Sequence, residues 1–358
     1  METQSKVLDY SGQNIYIGLD THLKNWKVTI RVEDAFYKTF CQDPAASTLS
    51  SYLRRNFPGA NYFSAYEASF SGFSAHRELN ELGIKNIVVN PADIPTTDKE
   101  RKQKEDSRDS RKISSQLAAG KLNAIYVPSI ENEGDRSLLR FRSTLTKEIS
   151  RNKHRVKSFL YHQGISIPEQ FTQNKYWSKR FTIWLKEVEL PSQSARVTLT
   201  EIIEVVDFLK KRQYQIVKQI KALSQTAGYK KNVELMISIP GIGLITAMSF
   251  LPEIEDIGRF KNLDNLCSYV GLIPMTNSSG QQDGIGNITV RQNKLLRHLI
   301  IESAWIAIGN DPALMLAYQK LVKKMKPGTA IIRIAKKMVN RIRYVLNNQE
   351  FYVCTVVN

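Results

Sequence analysis

Two aspartates three residues apart, Asp106 and Asp109, sit in the stretch Lys104-Glu105-Asp106-Ser107-Arg108-Asp109-Ser110-Arg111-Lys112. A helix running on through Leu117 and Ala118 would send both carboxylates from one face. Two hard oxygen donors on a rigid turn suit Mg²⁺, which takes one or two protein carboxylates together with phosphate oxygens. Lys104, Arg108, Arg111 and Lys112 surround the pair with charge that would meet a polyanion. The same spacing also fits a helix start, Asp106 capping and Asp109 standing where a capping box has Glu. On this stretch alone the cap weighs more.

The upstream elements shift that balance. Residues 14 to 20 alternate as a buried strand does and close on Asp20; strands are also expected at 26–32 and 35–40. A helix over 45–55, a strand at 61–67 closing on Glu67, a helix over 72–82 and a strand at 84–90 follow. The order βββαβαβ, then the carboxylate-bearing helix, is that of the ribonuclease-H/RuvC nuclease core. Open α/β sheets place their chemistry at the carboxyl ends of strands. There Asp20, Glu67, Asp106 and Asp109 could converge on two metal ions that stabilise the attacking and leaving oxygens of a phosphoryl transfer. Alone, Asp20 and Glu67 are equally good strand-end residues. Asp93 and Asp98 fall in a Pro-containing loop and are expected to face solvent.

The 358 residues carry a formal charge of +17, an excess that favours nucleic acid as partner, since each Lys or Arg neutralising a phosphate releases counterions. A membrane surface is the competing anion. No apolar run approaches the roughly 20 residues that span a bilayer, and the first residues lack a signal peptide's apolar core. Cys41, Cys267 and Cys354 form no CxxC pair, against a disulfide framework or zinc site. A soluble protein of a bacterial-type cytosol or nucleoid is expected.

Beyond residue 130 the pattern turns helical. From 134 to 160, Leu138, Leu139, Phe141, Leu145, Ile149 and Val156 recur at helical spacing opposite a basic face. From 197 to 224, Ile202, Ile203, Val206, Phe208, Leu209, Ile216, Ile220 and Leu223 do the same. Two such helices fit an antiparallel hairpin or a coiled coil. The connector Tyr176 to Trp184 interleaves aromatics with cations, suiting stacked bases and internal packing equally. Ile239-Pro240-Gly241-Ile242-Gly243 has the form of a helix–hairpin–helix turn, where Gly241 and Gly243 would let backbone approach a phosphate at a helix N-terminus. Arg291, Lys294 and Arg297 follow a glycine-rich stretch expected as a flexible loop. On spacing alone Ser278 and Ser279 within it are turn residues. In the last helix, about 329–346, Arg333, Lys337 and Arg341 would share a solvated basic face.

Taken together, Ile17-Gly18-Leu19-Asp20, Tyr66-Glu67-Ala68, the Asp106–Lys112 run, Ile239–Gly243 and Gly271-Leu272-Ile273-Pro274 with Ser279-Gly280 resemble the DEDD transposases of insertion-sequence family one-ten, relatives of the Piv DNA invertase. The resemblance covers nearly the whole chain. It implies a RuvC-like α/β domain over 12–130, a helical coiled-coil domain over 131–227, and a mainly α transposase domain with a helix–hairpin–helix motif over 228–358. It further implies recombination of target and donor DNA guided by a structured bridge RNA, in a homodimer assembling to a tetramer. By position, Asp20, Glu67, Asp106 and Asp109 would be the Mg²⁺ ligands. Ser279 would be the nucleophile, with the adjacent Ser278 as its rival, and would meet the carboxylates of another protomer. Family members commonly carry Thr and Ala where this chain has Glu105 and Ser110. The alternatives are a metal-dependent nuclease or junction resolvase using water, and a non-catalytic nucleic-acid scaffold.

Overall fold

The computed structural model describes residues 9–94, 106–171, 177–279, 282–288 and 293–354, with the backbone alone described at 106–108, 275–279 and 282–288. They form two compact units, one up to Val127 and one from Pro128 onward.

The first unit is built on β1 (Asn14–Thr21), whose alternation puts Ile15, Ile17 and Leu19, all fully buried, on one side of the sheet. β2 (Trp26–Val32) and β3 (Ala35–Gln42) continue it as an antiparallel meander. β4 (Asn61–Glu67) and β5 (Lys85–Val89) then run parallel to β1, giving the order β3-β2-β1-β4-β5. The crossovers are α1 (Ala46–Asn56) and α2 (Ser74–Glu81). Leu49 and Leu53 of α1 and Leu79 of α2 share one apolar cluster with Ile15, Ile17 and Leu19, so both helices cover that face. The helix α3 (Asp106–Ala118) covers the opposite face, where Ile113 packs with Ala65 and Val89. The expected strands and helices all form here, with ends moved by a residue or two.

In the second unit α4 (Ile130–His162) and α6 (Gln193–Leu223) lie antiparallel: Val156 and Leu160 pack with Leu199 and Ile203, while Thr146 accepts a hydrogen bond from Gln213 at 2.8 Å. Phe141 and Phe208, expected in the apolar stripes, instead remain 48% and 61% exposed. Each lies two residues, about 200° around its helix, from the buried Leu139 or Val206. Between the two, α5 (Lys179–Glu187) is capped by Ser178 and folds Phe181 and Trp184 onto Phe171. Of the two roles open to the connector's aromatics, packing is the one these rings take.

α7 (Lys230–Ile237), α8 (Leu244–Ile254), α9 (Leu263–Val270), α10 (Lys294–Ala307), α11 (Pro312–Val322) and α12 (Pro327–Asn348) enclose a large apolar core. The glycine-rich stretch expected as a loop is a β-hairpin, β6 (Pro274–Ser279) against β7 (Gln282–Ile288). Ser279 pairs with Gln282, leaving two residues between the strands, the shortest common hairpin connection. Arg341 does not join a solvated face either. It reaches buried Asp311 at 3.3 Å and donates to the Tyr352 hydroxyl at 2.9 Å.

The end of α8 is held by side chains from α4. The Pro252 carbonyl accepts from Asn132 at 2.6 Å and Arg136 at 2.8 Å, and the Glu253 carbonyl accepts from Arg136 at 2.9 Å. The buried Glu253 carboxylate takes both arms of Arg140, at 2.8 and 3.0 Å. Carbonyls left over at a helix C-terminus are here satisfied by cations that also favour the dipole. Among the described residues, no single helix is long and apolar enough to cross a membrane.

Candidate active site

Gly18 fixes how closely α3 approaches the sheet. A Cβ at Gly18 would lie 2.0 Å from the Ser110 carbonyl oxygen and 2.5 Å from the Ser114 nitrogen, so only glycine admits the helix backbone there. Ser110 and Ser114 are fully buried, and the Ser110 hydroxyl lies 2.9 Å from the Thr29 hydroxyl on β2. Gly18 therefore faces α3. Asp20, two residues on, faces the same side.

The parallel register extends the argument to Glu67. Gly18 is level with Ala65 and Leu19 with Tyr66, so the next step places Asp20 beside Glu67, at the carboxyl ends of β1 and β4. Ala65 packs with Ile113 of α3, which puts Glu67 on the α3 face as well. Both acids are half-buried. Asp109, also half-buried, immediately precedes the Ser110 contact; Asp106 begins α3, and its side chain lies outside the described residues. The fold thus brings Asp20 and Glu67 to one edge and one face, beneath the helix that carries Asp106 and Asp109. Among the described residues, which leave out the Asp106 side chain, no three His, Cys, Asp or Glu form a metal-holding group. The donors fit a hard divalent cation in chemical type, edge and face.

His22, one of five histidines without ligand spacing in the sequence, was not expected beside the carboxylates. Its Nε2 lies 3.1 Å from Asp20 Oδ2, and the Asp-x-His spacing along an extended strand end was the available signal. Asp93 is exposed in a short 3₁₀ turn, while Asp98 lies outside the described residues.

The expected nucleic-acid contacts separate by environment. Lys104 and Arg291 lie outside the described residues, as does the side chain of Arg108. Arg111 is tied to β3, donating to Thr39 at 3.1 Å and stacking 5.2 Å from the Phe36 ring centre. Lys112 is half-buried and Lys294 exposed at the start of α10; one turn on, burial holds the Arg297 guanidinium below its ordinary pKa. The two hairpin glycines differ. Gly241, at φ +89°, would drive a Cβ to 2.4 Å from the Ser303 carbonyl oxygen of α10, so packing demands it. Gly243 has open space and leads into α8 without a side-chain cap. Ser278 and Ser279 end β6, in the second unit, whereas Asp20, Glu67 and Asp109 belong to the first; Gly280 lies outside the described residues.

A 3-2-1-4-5 sheet with acids at the carboxyl ends of its first and fourth strands defines a ribonuclease-H-like phosphoryl-transfer class. Residues 64–163 match the DEDD transposase domain of the IS110 type, and residues 233–319 match the model described as transposase IS116/IS110/IS902 family. The first range contains Glu67, Asp106 and Asp109; the second contains Ser278 and Ser279. The chain belongs to the IS110 family of transposases, enzymes of DNA phosphoryl transfer. Similar proteins include y4qE of Sinorhizobium fredii, a chain named as a transposase: 29% identical, covering 83% of this chain and 72% of the relative. The transposase for insertion sequence element IS1111A of Coxiella burnetii is 24% identical over 78% of this chain and 76% of its own length. That for IS1533 of Leptospira borgpetersenii is 26% identical over 55% and 56% respectively.

Proposed function

We propose that this transposase is an RNA-guided DNA recombinase of a mobile element, using Mg²⁺-binding carboxylates and a serine nucleophile. The observation that carries the reading is the level placement of Asp20 and Glu67 on neighbouring parallel strands, under a helix seated by Gly18. Asp20, Glu67, Asp106 and Asp109 would hold Mg²⁺, which when bound supplies Lewis acidity toward a scissile phosphate. The side chains' own part is positional: β1 and β4 set two oxygens at one height, and the α3 seat sets the approach of the other two. Ser279, with Ser278 as rival, attacks the DNA phosphate and one P–O ester bond breaks. The freed strand end leaves as a sugar hydroxyl carrying the proton the serine loses, and the phosphate stays as a transient phosphoserine diester. Its place near a hairpin end suits a nucleophile delivered to carboxylates elsewhere in a homodimer or tetramer. The division of labour follows the expected ranges, with catalysis in 12–130, assembly through the helices of 131–227, and DNA strand chemistry in 228–358.

The partners are target and donor DNA and a structured RNA. A covalent-adduct assay on cognate DNA, with each serine changed to alanine in turn, tests the chemistry. Loss of the adduct in Ser279→Ala, with DNA and RNA binding retained, is the expected result. Hydrolysed ends only, formed equally by both serine variants, would return the enzyme to a water-using nuclease. Sequencing of RNA that co-purifies with the protein tests the guide: absence of any discrete species matching DNA beside its own coding region removes RNA guidance.

A further inference from the structure

Two lysines from opposite arms of the helical hairpin converge on one indole. Lys153 of α4 lies 5.4 Å and Lys210 of α6 lies 5.3 Å from the ring centre of Trp177. Trp177 precedes α5 and adopts φ +67°, a left-handed conformation uncommon for so bulky a residue. It keeps its place because its ring packs edge-on against buried Phe181, at 5.8 Å between centres. Its Nε1 is shut off from solvent and meets no acceptor among the described residues.

The charges do not balance. Lys210 has a loose partner in Asp207, at 3.5 Å, while Lys153 has no carboxylate in ion-pair range among the described residues. Both ammonium-bearing side chains are half-buried, so each has given up part of its hydration. Burial, together with repulsion from Lys210, holds Lys153 below the ordinary lysine pKa. Two under-compensated cations on one aromatic wall form a cradle that an oxyanion would complete. Lys211 and Arg212 stand exposed beside it on α6, extending the charge into a track rather than a single point.

We propose that Lys153 and Lys210, set by Trp177, form a binding site for a backbone phosphodiester of nucleic acid, separate from the carboxylate site. The inference rests on the proposed function only in taking nucleic acid as the polyanion. The bases play no part, because Phe181 and Trp184 are already packed against one another.

The test is the salt dependence of binding by the full-length protein, read as anisotropy of a labelled DNA duplex and, separately, a labelled RNA hairpin. Removing one lysine–phosphate pair lowers the slope of log K against log salt by about 0.7–0.9, and costs roughly tenfold in affinity near 0.1 M salt. Because the two lysines serve one phosphate, Lys153→Gln/Lys210→Gln should lower the slope by about 0.7–0.9 on at least one of the two probes. Lys153→Arg/Lys210→Arg should restore it. The control Lys218→Gln/Lys221→Gln removes the same charge from α6 alone. An unchanged slope on both probes, or a fall no greater than the control's, overturns the site. If the double variant does not fold, Lys210→Gln alone must still give half the effect, and no effect there is equally fatal. Adduct formation is read independently, so a lowered slope without an adduct would remove the recombinase reading and leave this site standing.

Discussion

Gly18→Ala strikes the contact on which the catalytic geometry depends. The added methyl would sit 2.0 Å from the Ser110 carbonyl oxygen, against the 3.4 Å at which ordinary contact begins. Both obstructing atoms are backbone, so no side chain can rotate away, and α3 must rise by about 1.4 Å to clear it. Overpacking of this kind costs about 1–3 kcal/mol. The lift also carries Asp109 away from Asp20 and Glu67, and a misplacement of about 1 Å can cost on the order of 10²-fold in rate. Melting temperature and metal-dependent cleavage of cognate DNA, measured on the same preparation, read the two effects. Thr29→Val serves as control: it removes one hydrogen-bond partner of the Ser110 hydroxyl without displacing the helix, and should lower stability while largely sparing the rate. A Gly18→Ala protein that melts and cleaves like the parent would refute the claim that this seat positions the carboxylates.

Gly241→Ala combines a left-handed φ with a 2.4 Å overlap on the α10 backbone, and should destabilise the second unit by about 2–4 kcal/mol in urea unfolding. Arg140→Ala leaves the buried Glu253 carboxylate without its bidentate partner, at a cost of about 2–4 kcal/mol; Arg140→Lys should recover only part of it. Cys41 and Cys354 are exposed and should react with a thiol reagent in the folded protein, whereas buried Cys267 should react only on unfolding. Burial pushes the Cys267 thiol up to about 11. The folded state therefore holds its proton longer than the unfolded state. The resulting stability is fully present below the unfolded pKa and is lost, by about 2–3 kcal/mol, as pH rises from about 9 to 11. Cys267→Ala should flatten that alkaline limb of the stability profile.

The first unit was largely legible because its strands announce themselves by alternation and its acids fall at strand ends, as Asp20 and Glu67 do. The α8 turn was legible from its glycines, but their separate duties were not. Only the packed structure distinguishes Gly241, pressed on the α10 backbone, from Gly243, facing open space. The β6–β7 hairpin was missed because Gly284 and Gly286 dilute the strand signal, and pairing across the chain supplies what local propensity lacks. Arg341 was misplaced for a related reason: helical spacing gives its side of α12, but not the buried Asp311 and half-buried Tyr352 that meet it there. The five histidines share no ligand spacing, so His22 carried no weight in the sequence; its approach to Asp20 comes from the two-residue step along the strand end.

At about 1.5 Å per residue, the 33 residues of α4 make a rod roughly 50 Å long. Its heading is anchored near one end by Asn132, Arg136 and Arg140, all within the first three turns and all gripping the final turn of α8. A tilt of only about 5° at that grip would swing the distant tip by about 4 Å, more than the length of a hydrogen bond. Errors made at the anchor are therefore magnified with distance, and substitutions around Glu253 would be felt most where α4 is farthest from them.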